Sequence, residues 1–201
     1  NKLKTITDSL NNVRTFTYDV LGNKLTEKDK RGYTTSFQYN NLNRLTQETN
    51  PQGTITAYAY DNNNNRLTET MNNSRVTSYQ YDELNHTTKI IRPGNVIESF
   101  TYDSNSNVKT KINGNSQTIT YTYDSLDRVV NKQLPTSETS VSYTYDNWNN
   151  LTNLVDESGT SNYTYNYNNQ QLSEAKTLTG LSTNSIITRT YNSASQLSVI
   201  T

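Results

Sequence analysis

Short stretches in which every second residue is aromatic alternate along this chain with stretches rich in Asn, Asp, Ser and Gly, and the alternation keeps a fixed interval. The anchor of each stretch is the second aromatic of an aromatic-x-Tyr-Asx unit. Tyr18, Tyr39, Tyr60, Tyr81, Tyr102, Tyr123 and Tyr145 follow one another at spacings of 21, 21, 21, 21, 21 and 22 residues. Looser copies follow at Tyr167 (or Tyr165) and at Tyr191. Two residues before each anchor stands Phe16, Phe37, Tyr58, Tyr79, Phe100, Tyr121, Tyr143 or Tyr165, with Arg189 in the last copy. A spacing of two puts both rings on one face of a strand. The residue between them is Thr17, Gln38, Ala59, Gln80, Thr101, Thr122 or Thr144, small or polar as the opposite, wetter face requires. The steps of three and four that mark an amphipathic helix are missing.

Turn signals fall twice in each interval. The anchor is followed by Asp19, Asp61, Asp82, Asp103, Asp124 or Asp146, and by Asn40, Asn168 or Asn192 in the remaining copies. An Asx side chain accepts hydrogen bonds from the backbone just beyond it, so these residues are expected to cap a turn. Four residues past the anchor stands Gly22, Asn43, Asn64, Asn85 or Asp127, the types that best tolerate positive φ. Ser106, Gln171 and Ser195 fit that place less well, which predicts distorted later copies. Leu25, Leu45, Leu67, Val108, Val129, Leu151 or Leu197 comes six or seven residues past the anchor. A second turn separates the units, as in Asp29-Lys30-Arg31-Gly32, Asn50-Pro51-Gln52-Gly53, Arg92-Pro93-Gly94-Asn95 and Asp156-Glu157-Ser158-Gly159.

Two strands and two tight turns per unit make an antiparallel hairpin meander. Residues 1–201 therefore read as one all-β array of about nine units and about 18 strands, a long twisted or curved sheet. Phe16, Tyr18, Phe37, Tyr39, Tyr58, Tyr60, Tyr79, Tyr81, Phe100, Tyr102, Tyr121, Tyr123, Tyr143 and Tyr145 are expected to form a ladder of neighbouring rings. Such pairs contribute about 0.5–1.5 kcal/mol each beyond area burial. Nearest-neighbour contacts would then dominate stability, as in a solenoid.

The recurring core resembles the YD repeat of Rhs proteins. Tyr18-Asp19-Val20-Leu21-Gly22-Asn23-Lys24-Leu25-Thr26 and Tyr39-Asn40-Asn41-Leu42-Asn43-Arg44-Leu45-Thr46 carry it best, and Gly32-Tyr33-Thr34-Thr35 and Gly53-Thr54-Ile55-Thr56 add the preceding Gly-x-x-Thr. Arrays of this kind occur in bacterial polymorphic toxins, insecticidal toxin complexes, wall-associated proteins and teneurins. The resemblance implies a strip of hairpins within a hollow shell that, in the toxins, encloses a variable toxic domain. It implies as partners the rest of the parent shell and that toxin domain, and as location a secreted or bacterial cell-surface protein. The chain has no segment resembling the Asp-Pro-x-Gly plug that ends a bacterial Rhs core. It is accordingly expected to be a piece without protease or cargo, too short to close a shell alone.

Composition narrows the function further. Hydrophobic residues make up 30% of the chain and Tyr alone supplies 16 of them. Leu, Ile, Val and Phe together fall just under the roughly 20% at which disorder becomes a competing reading. The abundance of aromatics and a balance of 18 basic against 18 acidic residues argue against disorder. The same balance argues against nucleic acid, which needs a clustered positive excess. No stretch is long and apolar enough for a membrane-spanning helix. Cysteine is absent, which excludes disulfides and cysteine-based metal or redox sites.

No catalytic, cofactor or metal constellation stands out. His86, the only histidine, lies in a turn without a nucleophile motif beside it. The post-anchor acids recur once per unit and alternate with Asn, unlike a calcium loop, which gathers its acids in one short segment. Two readings remain: a non-catalytic shell segment, or a surface repeat that holds carbohydrate or cell wall through its exposed rings, with Trp148 a possible contact. Unpaired edges also predict self-association of the isolated chain.

Overall fold

The computed structural model describes residues 2–72, 74–135, 140–180, 184–192 and 194–201. It is all-β, with nineteen strands among the described residues. The chain divides into two compact units, Asn1–Glu98 and Ser99–Thr201. The first carries β1 (Thr5–Thr7), β2 (Val13–Tyr18), β3 (Lys24–Lys28), β4 (Thr34–Tyr39), β5 (Leu45–Thr49), β6 (Ile55–Tyr60), β7 (Arg66–Met71), β8 (Arg75–Tyr81) and β9 (Thr87–Arg92). With β10 (Val96–Tyr102) the chain enters the second, which continues with β11 (Val108–Ile112), β12 (Thr118–Tyr123), β13 (Val129–Gln133), β14 (Val141–Tyr145) and β15 (Leu151–Asp156). It ends with β16 (Gly159–Tyr165), β17 (Gln171–Leu178), β18 (Asn184–Tyr191) and β19 (Leu197–Ile200). Within each unit every strand pairs antiparallel with the next along the chain, which is a meander.

One irregularity recurs. At the anchor the register shifts by one residue: Thr17 opposes Thr26 but Tyr18 opposes Lys24, so Leu25 is the extra residue of a β-bulge. The same shift occurs at Tyr39, Tyr60, Tyr81, Tyr102, Tyr123, Tyr145 and Tyr191. In the eighth copy it occurs at Tyr165, opposite Gln171.

The register also fixes what stands beside each ring. Phe16, Phe37 and Tyr58 oppose Glu27, Glu48 and Glu69, whereas Phe100 and Tyr121 oppose Lys111 and Lys132. No hydrophobic side chain is fully buried among the described residues, and the one buried residue, Ser161, is 4% exposed. The rings of the repeat are half-buried, while Thr17, Gln38, Ala59, Gln80, Thr101, Thr122 and Thr144 between them are exposed. Without a central core, order depends on what each hairpin gives the next.

Candidate functional site: the ladders between repeats

The turn after each anchor is one structure used throughout. Asp61 shows it: its Oδ1 accepts the N–H of Asn63 at 2.9 Å and of Asn65 at 2.8 Å, and its own N–H donates to the Asn65 carbonyl at 3.0 Å. Asn64 closes the loop in the left-handed region at φ 70. This is a type I turn followed by a left-handed residue, a common three-residue hairpin connection. Gly22, Asn43, Asn85, Asp127 and Asn149 occupy the same place at φ 90, 58, 66, 59 and 71. Ser106 and Ser195, expected to distort their turns, adopt it as well at φ 70 and 61. The strand register imposes the geometry, and the Asx cap with the flanking pairs holds a serine there.

The eighth copy requires a correction. Gln171 is a residue of β17, and the left-handed residue is Asn169 at φ 58. Asn166, rather than Asn168, is the cap: its Oδ1 accepts the N–H groups of Asn168 and Gln170 at 2.9 and 3.0 Å. Both facts count from Tyr165. Tyr167, an anchor by spacing, is instead a fully exposed turn residue. Spacing alone leaves Tyr165 and Tyr167 both open as the anchor, because Tyr163, Tyr165 and Tyr167 all keep the period of two.

The cap carboxylates are electrostatically tuned by their own loops. Side-chain hydrogen bonds from Asn23 and Asn150 hold Asp19 and Asp146 below the usual carboxylate range, and the Arg128 side chain does the same for Asp124. Asp82 bonds His86 Nδ1 through its Oδ2 at 3.0 Å, so the one histidine serves as a turn residue five past its anchor.

The anchors join successive repeats. Strand pairing between β3 and β4 stops at Thr26 opposite Ser36, which leaves the Lys24 carbonyl without a backbone partner on that side. The Tyr39 hydroxyl donates to it at 3.0 Å. The same bond runs from Tyr60 to the Leu45 carbonyl at 2.8 Å and from Tyr81 to Arg66 at 2.9 Å. In the second unit it runs from Tyr123 to Val108 at 2.8 Å, Tyr145 to Val129 at 3.1 Å, Tyr165 to Leu151 at 2.9 Å and Tyr191 to Gln171 at 3.0 Å. In each case the acceptor lies six residues past the preceding anchor, at the bulge. Burial pushes the hydroxyl pKa of Tyr39, Tyr81, Tyr123 and Tyr165 up, which keeps the donor protonated.

A second ladder runs along the turns. The residue five past an anchor donates to the left-handed residue of the next turn. Asn23 Nδ2 reaches Asn43 Oδ1 at 2.9 Å, Asn65 reaches Asn85 at 2.7 Å, Asn107 reaches Asp127 at 2.7 Å and Asn150 reaches Asn169 at 3.0 Å. Where arginine holds that place the bond is doubled. Arg44 Nη1 reaches the Asp61 carbonyl at 2.6 Å and Asn64 Oδ1 at 3.1 Å, and its guanidinium lies 4.9 Å from the centre of the Tyr60 ring. Arg128 repeats this on Asp146, Asn149 and Tyr145, with the guanidinium 4.7 Å from the ring centre. Lys24 and Arg66, one place further on, lie 4.4 and 4.8 Å from the centres of Phe37 and Tyr79. Such contacts contribute about 0.5–2 kcal/mol each, depending on exposure.

The teneurin YD-shell family model matches residues 3–199. The chain belongs to this family. In fold it resembles a chain in the crystal structure of TcdB2-TccC3-Cdc42, with TM-score 0.78 and 14% identity over 90% of this chain and 12% of that one. TcdB2-TccC3 without its hypervariable C-terminal region gives TM-score 0.79 at 14% identity, over 94% of this chain and 12% of the other. A chain of the Photorhabdus luminescens Tc holotoxin pore gives 0.62 at 17% identity, over 94% and 13%. This YD-shell segment thus spans about an eighth of the solved chains it matches. No curated protein matches it.

Two kinds of joint in this YD-shell segment go beyond the turn residues named from the sequence. The turn at the other end of the hairpins uses the same cap: Asp8, Asp29, Asn50 and Asn113 each accept two backbone N–H groups, from residues two and four further on. The signal was present as Asx followed three residues later by Gly, Asn or Ser. The basic residues five or six past an anchor, Lys24, Arg44, Arg66 and Arg128, were a second unread signal. Among the described residues no group of three His, Cys, Asp or Glu gathers as a metal would require.

Proposed function

We propose that this YD-shell segment is a non-catalytic strip of a larger β-shell, in a secreted or surface-exposed bacterial protein, that encloses a toxin domain. One observation supports it above the rest. Within each unit, successive repeats are joined by a tyrosine hydroxyl donated to a bulge carbonyl and by a side-chain donor meeting an acceptor of the next turn, so the structure propagates without a core of its own. Such a strip makes wall, and its recurring chemistry is spent on joining hairpins. The likeness in fold to chains of TcdB2-TccC3 complexes agrees with that role.

Leu21, Leu42 and Leu84 at turn tips of the first unit, and Leu126 in the second, are exposed apolar side chains that the parent protein would cover. The isolated chain is therefore expected to associate, and light scattering across a concentration series that reports only monomer would count against this. Limited proteolysis of the full-length parent tests the enclosure. A downstream domain that resists protease in the intact protein, and loses that resistance once anchor tyrosines are replaced, supports the reading. A downstream domain cleaved equally in both rejects it. Carbohydrate binding through the ladder rings has no specific support, since the rings are half-buried and the anchor hydroxyls of Tyr39, Tyr60 and Tyr81 are committed to neighbouring carbonyls.

A further inference from the structure

At the tips of the seventh and eighth repeats the surface departs from its neighbours. Trp148 is 68% exposed and Tyr167 is 102% exposed. Together with Asp146, Thr152, Thr164 and Leu172 they line one cleft of about 540 Å³. The corresponding place between the fifth and sixth repeats is a smaller cleft of about 320 Å³ lined by Asn105, Lys109 and Thr122. Asn105 stands there for Trp148, Lys109 for Thr152, and Ser125 takes the position of Tyr167. The backbone is repeated and the walls are exchanged.

Neither exposed ring belongs to the ladders, and rings this open recover little of the burial that normally retains large aromatics. Their chemistry suits a ligand that is flat, apolar on its face and hydroxylated at its rim. Aromatic plates take up the C–H face of a sugar ring, while a small number of polar groups at the edge fix its orientation. Thr164 Oγ1 and Ser173 Oγ share one hydrogen bond at 2.7 Å, which leaves acceptor capacity on both.

Charge narrows the class. Asp146 is the only charged group in the lining, and its oxygens already accept the N–H of Trp148 at 2.9 Å, the N–H of Asn150 at 2.8 Å and Asn150 Nδ2 at 2.9 Å. Arg128 donates to the carbonyl of the same residue at 3.0 Å and offsets its charge. The cleft offers no lining cation to an anion and no free carboxylate to a cation. We propose that it is a binding subsite for a neutral pyranose ring, stacked on Trp148 and Tyr167.

Trp148 is the single tryptophan of the chain, so its fluorescence reports this cleft alone. The 201-residue chain is titrated with cellotetraose, chitotetraose and mannotetraose, and separately with choline. A saturable change in emission with at least one oligosaccharide, weakened about tenfold or more by Tyr167→Ser and untouched by Asn105→Ala, is the expected result. Tyr167 is a fully exposed turn residue, so its replacement leaves the ladders intact, and unchanged circular dichroism verifies this. Silence towards all three sugars, a response to choline alone, or sugar binding indifferent to Tyr167→Ser would each overturn the proposal.

Discussion

The hairpins of this YD-shell segment turn at two edges, and the two obey different rules. On the edge after the anchors every loop has one length: the anchor opposes the residue six further on in all nine copies, from Tyr18 opposite Lys24 to Tyr191 opposite Leu197. On the return edge the connections differ. Asn50 to Thr54 and Asn113 to Gln117 are Asx-capped turns, Met71 opposes Arg75 across a tight loop with Asn72 at φ 52, and Asp156 pairs directly with Gly159. The departures from the 21-residue interval, 22 to Tyr145, 20 to Tyr165 and 26 to Tyr191, all fall on the return side. On the constant edge side chains bond from turn to turn in one repeat after another, whereas on the return edge a comparable bond joins Thr179 Oγ1 to the Glu157 carbonyl at 3.1 Å. Coupling between repeats therefore restricts loop length on one edge and leaves it free on the other.

The largest effect is expected from removing an anchor. Tyr123→Ala deletes a half-buried ring and its bond to Val108, and should cost about 2–4 kcal/mol in urea unfolding. Tyr33→Ala, on the return edge and 52% exposed, loses only a contact with Arg31 at 5.3 Å from the ring centre and should cost about 1 kcal/mol or less. Equal losses would erase the distinction between the edges.

Acid should come next, because several caps respond together. The carboxyls of Asp19, Asp124 and Asp146 have folded pKa values below their unfolded ones. Their contribution is therefore present above the unfolded value of about 4 and is lost as pH falls through the lower folded value. The unfolding midpoint should drop between about pH 5 and pH 2. Replacing these three with Asn, which already caps as Asn40, Asn166 and Asn192, should flatten that limb. Asp61, Asp82 and Asp103 keep part of the limb, and a triple variant with the same acid limb as the parent would show that Asp19, Asp124 and Asp146 do not contribute to it.

Removing only the hydroxyl sharpens the contrast further. Tyr60→Phe keeps the ring and loses the bond to Leu45, at about 0.5–1.5 kcal/mol. The finest comparison uses glycine at two left-handed asparagines. Asn95→Gly on the return edge at φ 59 relieves backbone strain and should raise stability by a few tenths to about 1 kcal/mol. Asn85→Gly at φ 66 gains the same relief but forfeits the acceptor used by Asn63 and Asn65, and should come out lower than Asn95→Gly by about 0.5–1 kcal/mol. Identical responses would remove the turn-to-turn bond from the account.

Period and spacing made the strands legible, because aromatic-x-Tyr fixes a face and the constant interval fixes the hairpin. The eighth repeat escaped because Tyr163, Tyr165 and Tyr167 share one period, and only the opposing partner Gln171 and the bulge carbonyl of Leu151 select among them. Those determinants lie on neighbouring strands, where single-chain spacing does not look. The turns at Ser106 and Ser195 were misjudged for a related reason: residue preference describes an isolated turn, and here the flanking register decides. The stacking of Arg44 on Tyr60 and Arg128 on Tyr145 was unreadable until the distance between adjacent repeats was known.

Tyrosine hydroxyl exchange, followed by nuclear magnetic resonance with labelled tyrosine, addresses the joint between repeats directly. The hydroxyl protons of Tyr39, Tyr60, Tyr81, Tyr123, Tyr145 and Tyr165 should exchange slowly, while those of Tyr33 and Tyr167 exchange with water too fast to observe. Anchor hydroxyls as labile as that of Tyr167 would contradict the account.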